Sequence, residues 1–300
     1  ADYSDGSDYG WTGNQFYGYY NDQETDSIEV QLTSNSDGAL EWLGGIYYYE
    51  QDAAWQYTEI SPERDVIIPH WDDIGSYTSS SLGVFGNATY AINDDLRVTG
   101  GLRYTEDDKG KRDPLDWNVW PPVPIAGAGA ENSWSKWLWK LGVEKDLSDD
   151  QMLYATMSTG YRAGGFNIIR TGVPPIYEPE TVLATEVGLK NTLLDGAMTL
   201  NLAGYYNQYR DMHAQSFVAT GNSGVTEFTE NGGEIDSYGL EAELSWHATE
   251  RLTVTGSAAW AKSEFGEYGV SKVAGLGDLN GRQDLSDANS PLLSLDGWAP

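Results

Sequence analysis

Cysteine is absent from the 300 residues, which removes disulfide bracing, thiolate nucleophiles and every Cys-ligated metal site together. Basic residues are scarce: 17 Lys and Arg stand against 46 Asp and Glu, for a formal net charge of −29. Such a surface repels phosphates, which argues against nucleic acid as a partner. It suits a highly solvated exterior or the attraction of cations. No run of about 18 apolar residues exists, so a transmembrane helix is excluded. The chain opens "ADYSDGSDYG", with neither Met nor a basic and apolar leader, and the expectation is an internal piece of a longer protein.

Phe and Met are also few, 6 and 4, whereas Tyr and Trp number 20 and 12. Those two rings combine an apolar body with a polar handle, and they favour boundaries between apolar and wet surroundings. The 35 glycines fit an all-β chain rich in turns.

Period-2 alternation recurs along the chain, as expected of strands with two unlike faces. Leu96, Val98, Gly100, Leu102 and Tyr104 oppose Arg97, Thr99, Gly101 and Arg103. Trp137, Trp139, Leu141 and Val143 oppose Lys136, Lys140 and Glu144. Leu240, Ala242, Leu244 and Trp246 oppose Glu241, Glu243, Ser245 and His247, and Leu252, Val254, Ala258 and Trp260 oppose Thr253, Thr255 and Ser257.

The connections alternate between short and long. Short ones fall at Asn35–Gly38, Asn93–Asp95, Leu147–Asp150, Leu194–Gly196 and Ala248–Glu250, and the first four carry the Asn, Asp or Gly that tight turns favour. Long polar stretches run over Gln51–Thr78, Glu106–Ser133, Arg162–Glu180, Arg210–Gly233 and Glu264–Asn289. In a soluble domain such loops would count against the strand assignment. A membrane β-barrel has short turns on one side and long loops on the other. A β-sandwich or propeller shares the alternation but not that asymmetry. Trp42, Tyr90, Tyr154 and Trp246 lie near tight turns, and Tyr48, Tyr104, Tyr161, Tyr206 and Trp260 near the long loops, as two aromatic girdles would.

No catalytic or metal-binding residue emerges. His70, His213 and His247 lack metal-ligand spacing, and Asp278–Asp287 lacks the order of a calcium loop. Ala126–Asn132 has glycines without the strand-to-helix setting of a phosphate loop. There is no nucleophile elbow, and no cofactor is implied.

The blocks Ser27–Gln51, Gly83–Gly110, "LYATMSTGYRAGGFN" (Leu153–Asn167), Tyr177–Met212 and Ile235–Trp260 together resemble the barrel of TonB-dependent outer-membrane receptors. That resemblance implies an antiparallel transmembrane β-barrel fragment in the bacterial outer membrane, about eleven strands of a barrel of roughly twenty-two. Residues 1–300 then form part of one barrel domain, with the family's plug domain and TonB-interacting segment absent from this chain. The implied function is energy-coupled nutrient uptake, most often of a ferric siderophore, with the plug, the TonB complex and outer-membrane lipid as partners. A receptor for a glycan, vitamin or other non-iron substrate, a passive porin and an outer-membrane enzyme remain as alternatives, the last lacking any clustered catalytic residues.

Within this frame the candidate ligand contacts are Trp117, Trp120, Tyr161, Arg162 and Phe166. Trp117 and Trp120 lie in a loop stiffened by Pro121, Pro122 and Pro124, which also leads to Trp134. These aromatics either form a surface that meets ligand or pack the loop against its neighbours. Tyr161, Arg162 and Phe166 mark where a strand emerges, with Gly164 and Gly165 permitting a bend. The charges on the polar parity (Arg97, Arg103, Lys136, Lys140, Glu144, Glu186, Lys190, Glu241 and Glu243) face the lumen, where they contact a plug or solute or pair with one another.

Overall fold

A computed structural model describes residues 16–35, 38–61, 66–67, 71–112, 115–116, 123–124, 129–167, 173–219 and 225–268. Its strands are β1 (Phe16–Thr33), β2 (Leu40–Ser61), β3 (Val66–Ile67), β4 (Trp71–Asn93), β5 (Leu96–Arg112), β6 (Leu115–Asp116), β7 (Val123–Pro124) and β8 (Ala130–Ser148). They continue with β9 (Gln151–Arg162), β10 (Gly165–Phe166), β11 (Ile176–Tyr177), β12 (Glu180–Leu193), β13 (Met198–Arg210), β14 (His213–Ala219), β15 (Val225–Asn231), β16 (Gly233–Thr249) and β17 (Leu252–Tyr268). Eleven belong to one sheet, in the order β1-β2-β4-β5-β8-β9-β12-β13-β16-β17, with β3 attached to β2. Each long strand pairs antiparallel with the next, an up-and-down wall. Among the described residues β1 and β17 are its two edges and do not pair, so the wall is open.

Turn chemistry sets this meander. Asn93 Oδ1 accepts hydrogen bonds from the backbone N–H of Asp95 and Leu96, at 3.0 and 2.9 Å, the side-chain mimic of a turn that Asn supplies. At the turn between β12 and β13, Leu194, Asp195 and Gly196 take φ of 56°, 53° and 88°. Only Gly196 adopts that left-handed backbone without steric penalty.

The register carries one parity across the whole wall. Leu102 lies opposite Trp139, Leu141 opposite Met157, Val187 opposite Gly204, and Leu240 opposite Trp260. The apolar rows therefore share one face, and it is the exposed one: Trp137 is 61% and Leu240 62% exposed, whereas among the described residues the buried apolar ones are Trp134, Val173, Ala214 and Phe228. A water-soluble sheet would bury those rows. A wall whose apolar face meets lipid has no reason to.

The outer edge of the apolar band is drawn by tyrosines. Tyr48 donates its hydroxyl to Glu50 at 3.1 Å, Tyr104 to Glu106 at 2.9 Å, Tyr206 to Asp236 at 2.9 Å and Tyr238 to Glu264 at 3.3 Å. In each pair the ring stays with the apolar rows and the hydroxyl points to the acidic zone beyond. At the opposite end Trp42, Tyr90 and Trp246 are outward and exposed. Tyr154 departs from the girdle expected of it, because its parity is that of the lumen: it lies opposite Gly188 and donates its hydroxyl to Glu186 at 2.6 Å.

Two of the expected long loops are mostly strand. β2 runs on to Ser61, β4 begins at Trp71, β5 reaches Arg112 and β8 starts at Ala130. Much of Gln51–Thr78 and Glu106–Ser133 is therefore a continuation of the wall above the apolar band. By contrast β9 ends at Arg162, β12 begins at Glu180, β13 ends at Arg210 and β16 begins at Gly233; past Tyr268 the fifth stretch, Glu264–Asn289, lies outside the described residues, while Arg162–Glu180 and Arg210–Gly233 leave the wall where the sequence placed them. These two fold into small hairpins, β10 with β11 and β14 with β15.

Candidate ligand-contact site

The hairpins after β9 and β13 interlock above the wall. Asn167, buried between them, donates from Nδ2 to the carbonyls of Pro174 (2.9 Å) and Thr229 (2.7 Å), and its Oδ1 accepts from the Thr229 N–H at 2.7 Å. Asn231 reciprocates: its Oδ1 accepts from the Glu178 N–H at 2.7 Å, and its Nδ2 donates to the carbonyls of Glu178 and Asp211 at 2.7 and 2.9 Å. Val173 and Phe228 form a small apolar centre between them. His213 closes the base, with Nε2 donating to the Glu178 carbonyl at 2.7 Å, its N–H to Glu180 Oε2 at 2.7 Å, and its ring edge-on to Tyr177 at 4.8 Å. Burial pushes the Tyr177 phenol up from its ordinary pKa.

This loop pair is tied to the wall by β5 and β8. Lys109 Nζ donates to the Gly164 carbonyl at 2.8 Å, and Lys111 Nζ to the Asn167 carbonyl at 2.9 Å. Burial lowers the Lys109 pKa, and the nearby Arg162 guanidinium adds to that against the opposing Asp107 charge. Trp134 is 7% exposed and donates from Nε1 to Glu178 Oε2 at 3.0 Å, while Lys109 Nζ lies 5.9 Å from its ring centroid. The two glycines permit this approach. A Cβ on Gly164 would lie 2.3 Å from the Tyr177 carbonyl oxygen and 2.8 Å from the Trp134 ring, and one on Gly165 would lie 2.3 Å from the Tyr177 hydroxyl. Close contact, rather than a bulge in the wall, is what these glycines serve.

Of the sequence-predicted contacts, Trp117 and Trp120 lie outside the described residues. Tyr161 sits opposite Thr181 near the end of β9, and its hydroxyl is buried beside Asp107. Arg162 is 3.6 Å from Glu180 Oε1, with a side chain 71% exposed. Phe166 packs on Trp134, ring centroids 6.0 Å apart. The structure thus brings Arg162, Phe166 and Trp134 to one mouth, packing the aromatics and leaving the guanidinium open. Lys109, Asn167, Glu178 and Asn231, which hold the arrangement, carry no spacing signal in the sequence.

Lower on the lumen face Arg97 bonds Glu144 at 3.0 Å and Asp146 at 2.7 Å, the mutual pairing weighed for the wall charges. Among the described residues no group of three or more His, Asp or Glu side chains is placed to hold a metal ion.

An antiparallel meander with an apolar exposed face, a polar opposite face and folded loops at one rim defines the wall of a transmembrane β-barrel. The chain belongs to the TonB-dependent receptors: the profile of the TonB dependent receptor-like β-barrel matches residues 1–291. The pesticin receptor of Yersinia enterocolitica is 26% identical over 182 residues, which cover 60% of this chain and 25% of that receptor. The fold is shared with the ferric yersiniabactin uptake receptor FyuA of Yersinia pestis, at a TM-score of 0.69 and 18% identity over 85% of this chain and 37% of that one. It is shared also with the siderophore receptor PiuA of Acinetobacter baumannii, at a TM-score of 0.67 and 16% identity over 90% and 42%. The chain therefore spans well under half the length of these relatives.

Proposed function

We propose that the protein to which this wall belongs is an outer-membrane receptor that takes up a scarce nutrient, with a ferric siderophore as its substrate class. The observation that carries the reading is the family match over residues 1–291; the siderophore receptors that share the fold support the substrate class. In this reading the work is binding rather than bond-making. Iron arrives already chelated, so the wall needs no metal ligands of its own. Arg162, with Trp134 and Phe166 behind it, meets the solute at the mouth, and Tyr161, Trp117 and Trp120 are the further ligand contacts of this reading. A plug domain and the TonB complex, supplied outside this sequence, convert inner-membrane energy into release.

The test is uptake by cells that carry the complete receptor. Deleting its gene should abolish growth on at least one ferric siderophore under iron limitation, and the complete gene should restore it only when TonB is functional. Restoration in a strain without TonB would favour a passive channel, and normal growth of the deletion on every iron source tried would remove iron chelates from the reading.

A further inference from the structure

The lumen face carries a group of cations that its excess of acids leaves alone. Arg103 on β5 lies opposite Leu138 on β8, and Lys136 and Lys140 flank Leu138 on the same parity. Diagonal neighbours across an antiparallel pair stand about 7–8 Å apart, so the three cations form a triangle on the wall. Lys136 and Lys140 make no ion pair or hydrogen bond among the described residues, and Arg103 meets a ring instead: its guanidinium carbon lies 5.6 Å from the Phe85 centroid. In a chain with 46 acids and 17 bases, pairing is the default for a cation on a wall, as Arg97 shows with its two carboxylates.

The surroundings keep the triangle open. A Cβ on Gly83 would lie 2.2 Å from Arg103 Nη2, so the guanidinium rests flat over the glycine in space that any other residue would fill. Gly101, opposite Lys140 and Asn87, removes another side chain beside it. The depth is set by the neighbours in sequence: Tyr104 and Trp137, on the outward face, meet as tilted rings with centroids 5.1 Å apart at the outer girdle. The triangle thus lies inside the barrel at the level where a solute leaves the mouth for the lumen.

We propose that Arg103, Lys136 and Lys140 form a binding position for a polyanionic solute, one carrying two or more carboxylate-type oxygens. The proposal rests on the reading of this wall as the path of an imported solute, and it answers the objection that a chain of net charge −29 repels anions. Three adjacent cations invert the field locally, and Arg103, held flat by Phe85 and Gly83, offers its fork to one carboxylate while the lysines meet a second.

The test uses the complete receptor purified in detergent, with citrate and ferric citrate as probes and glucose as the neutral control, titrated calorimetrically at low ionic strength. Wild type should bind the two anions and not glucose. Lys136→Gln combined with Lys140→Gln should weaken anion binding at least tenfold and flatten its salt dependence, and Arg103→Gln should do so alone. Unchanged affinity in the variants, or no citrate binding by wild type, overturns the proposal without touching TonB-dependent uptake, which is measured separately. If the lysine variants instead raise ion conductance across planar bilayers while citrate affinity holds, the cations dock part of the receptor itself, and the proposal is overturned. Heat-modifiable migration in gels, unchanged, shows that the variant barrels are folded.

Discussion

The wall from β1 to β8 and the wall from β9 to β17 solve the same problem differently. In the first, the long strands of 17 to 23 residues run far beyond the apolar band, and the backbone above it is satisfied by further sheet pairing. In the second, strands β9, β12 and β13 have only 12 to 14 residues, and the chain above them folds into two hairpins held by side-chain amides. The first half projects a stiff, solvated palisade. The second covers the rim with a small packed body in which apolar residues such as Phe228, at 3% exposure, are buried. Composition explains the choice. Gly164, Gly165, Pro174 and Pro175 interrupt the chain after β9, and proline cannot donate to a ladder. No such cluster lies in Gln51–Ser61 or Trp71–Thr78, and there the strands continue.

If the two rims differ as described, removing one amide should undo the second and leave the wall intact. Asn167→Ala deletes both contacts to Thr229 and leaves that residue's half-buried N–H without its acceptor, a loss of about 1–3 kcal/mol confined to the hairpins. Limited proteolysis of the receptor should then cut within residues 162–180 or 210–233 at least several-fold faster, with the melting of the wall unchanged. Equal resistance in variant and wild type would show that Asn167 does not hold the hairpins together.

Gly164→Ala tests the close approach. Because a Cβ would meet a backbone carbonyl at 2.3 Å, the hairpin must shift, at a cost on the order of 1–3 kcal/mol. Faster cleavage of the same loops, together with a change in Trp fluorescence from Trp134, is the expected outcome. Alanine accepted without either change would mean that the glycine is replaceable.

How much of this was legible beforehand follows from which physical signal each part emits. Apolar rows between Leu96 and Tyr104 or between Leu252 and Trp260 announce themselves, because lipid on one side and water on the other enforce strict alternation. The turns at Asn93 and Gly196 were equally plain, since few residues accept their backbone. Above the band both faces meet water, alternation fades, and β2 and β4 read as loop although they pair through Ser76 opposite Ala54. Tyr154 was misplaced for a related reason: proximity to a turn fixes depth along a strand and not the face, which only its parity with Glu186 through Gly188 decides. The clamp was invisible, because Asn167, Glu178 and Asn231 are ordinary loop residues until the two hairpins meet.

Beside Lys109 and Lys111, Trp134 ties the halves together, reaching from β8 in the first to Glu178 in the second. Trp134→Phe keeps a ring against Phe166 but loses the N–H to the carboxylate, a charge-assisted bond worth roughly 1.5–3 kcal/mol. Loop proteolysis should quicken less than in Asn167→Ala, because the hairpins keep their own amide contacts, and the wall should again melt as before. A Trp134→Phe receptor cleaved as fast as Asn167→Ala would make the wall, and not the amides, the principal support.

The smallest effect concerns the palisade. Asp26 lies opposite Glu50 and Glu24 opposite Asp52 on its outward face, and all four side chains are exposed. Like charges directly opposite one another on neighbouring strands repel, yet water and salt screen them, with a Debye length of about 30 Å at 0.01 M and about 8 Å at 0.15 M. Glu50→Gln with Asp52→Asn should therefore raise the melting temperature slightly at 0.01 M salt and leave it unchanged at 0.15 M, while the loop hairpins of the second half resist protease as before. A gain that survived high salt would mean that these carboxylates oppose folding through something other than their charge, and a loss of stability would mean that they hold the palisade together.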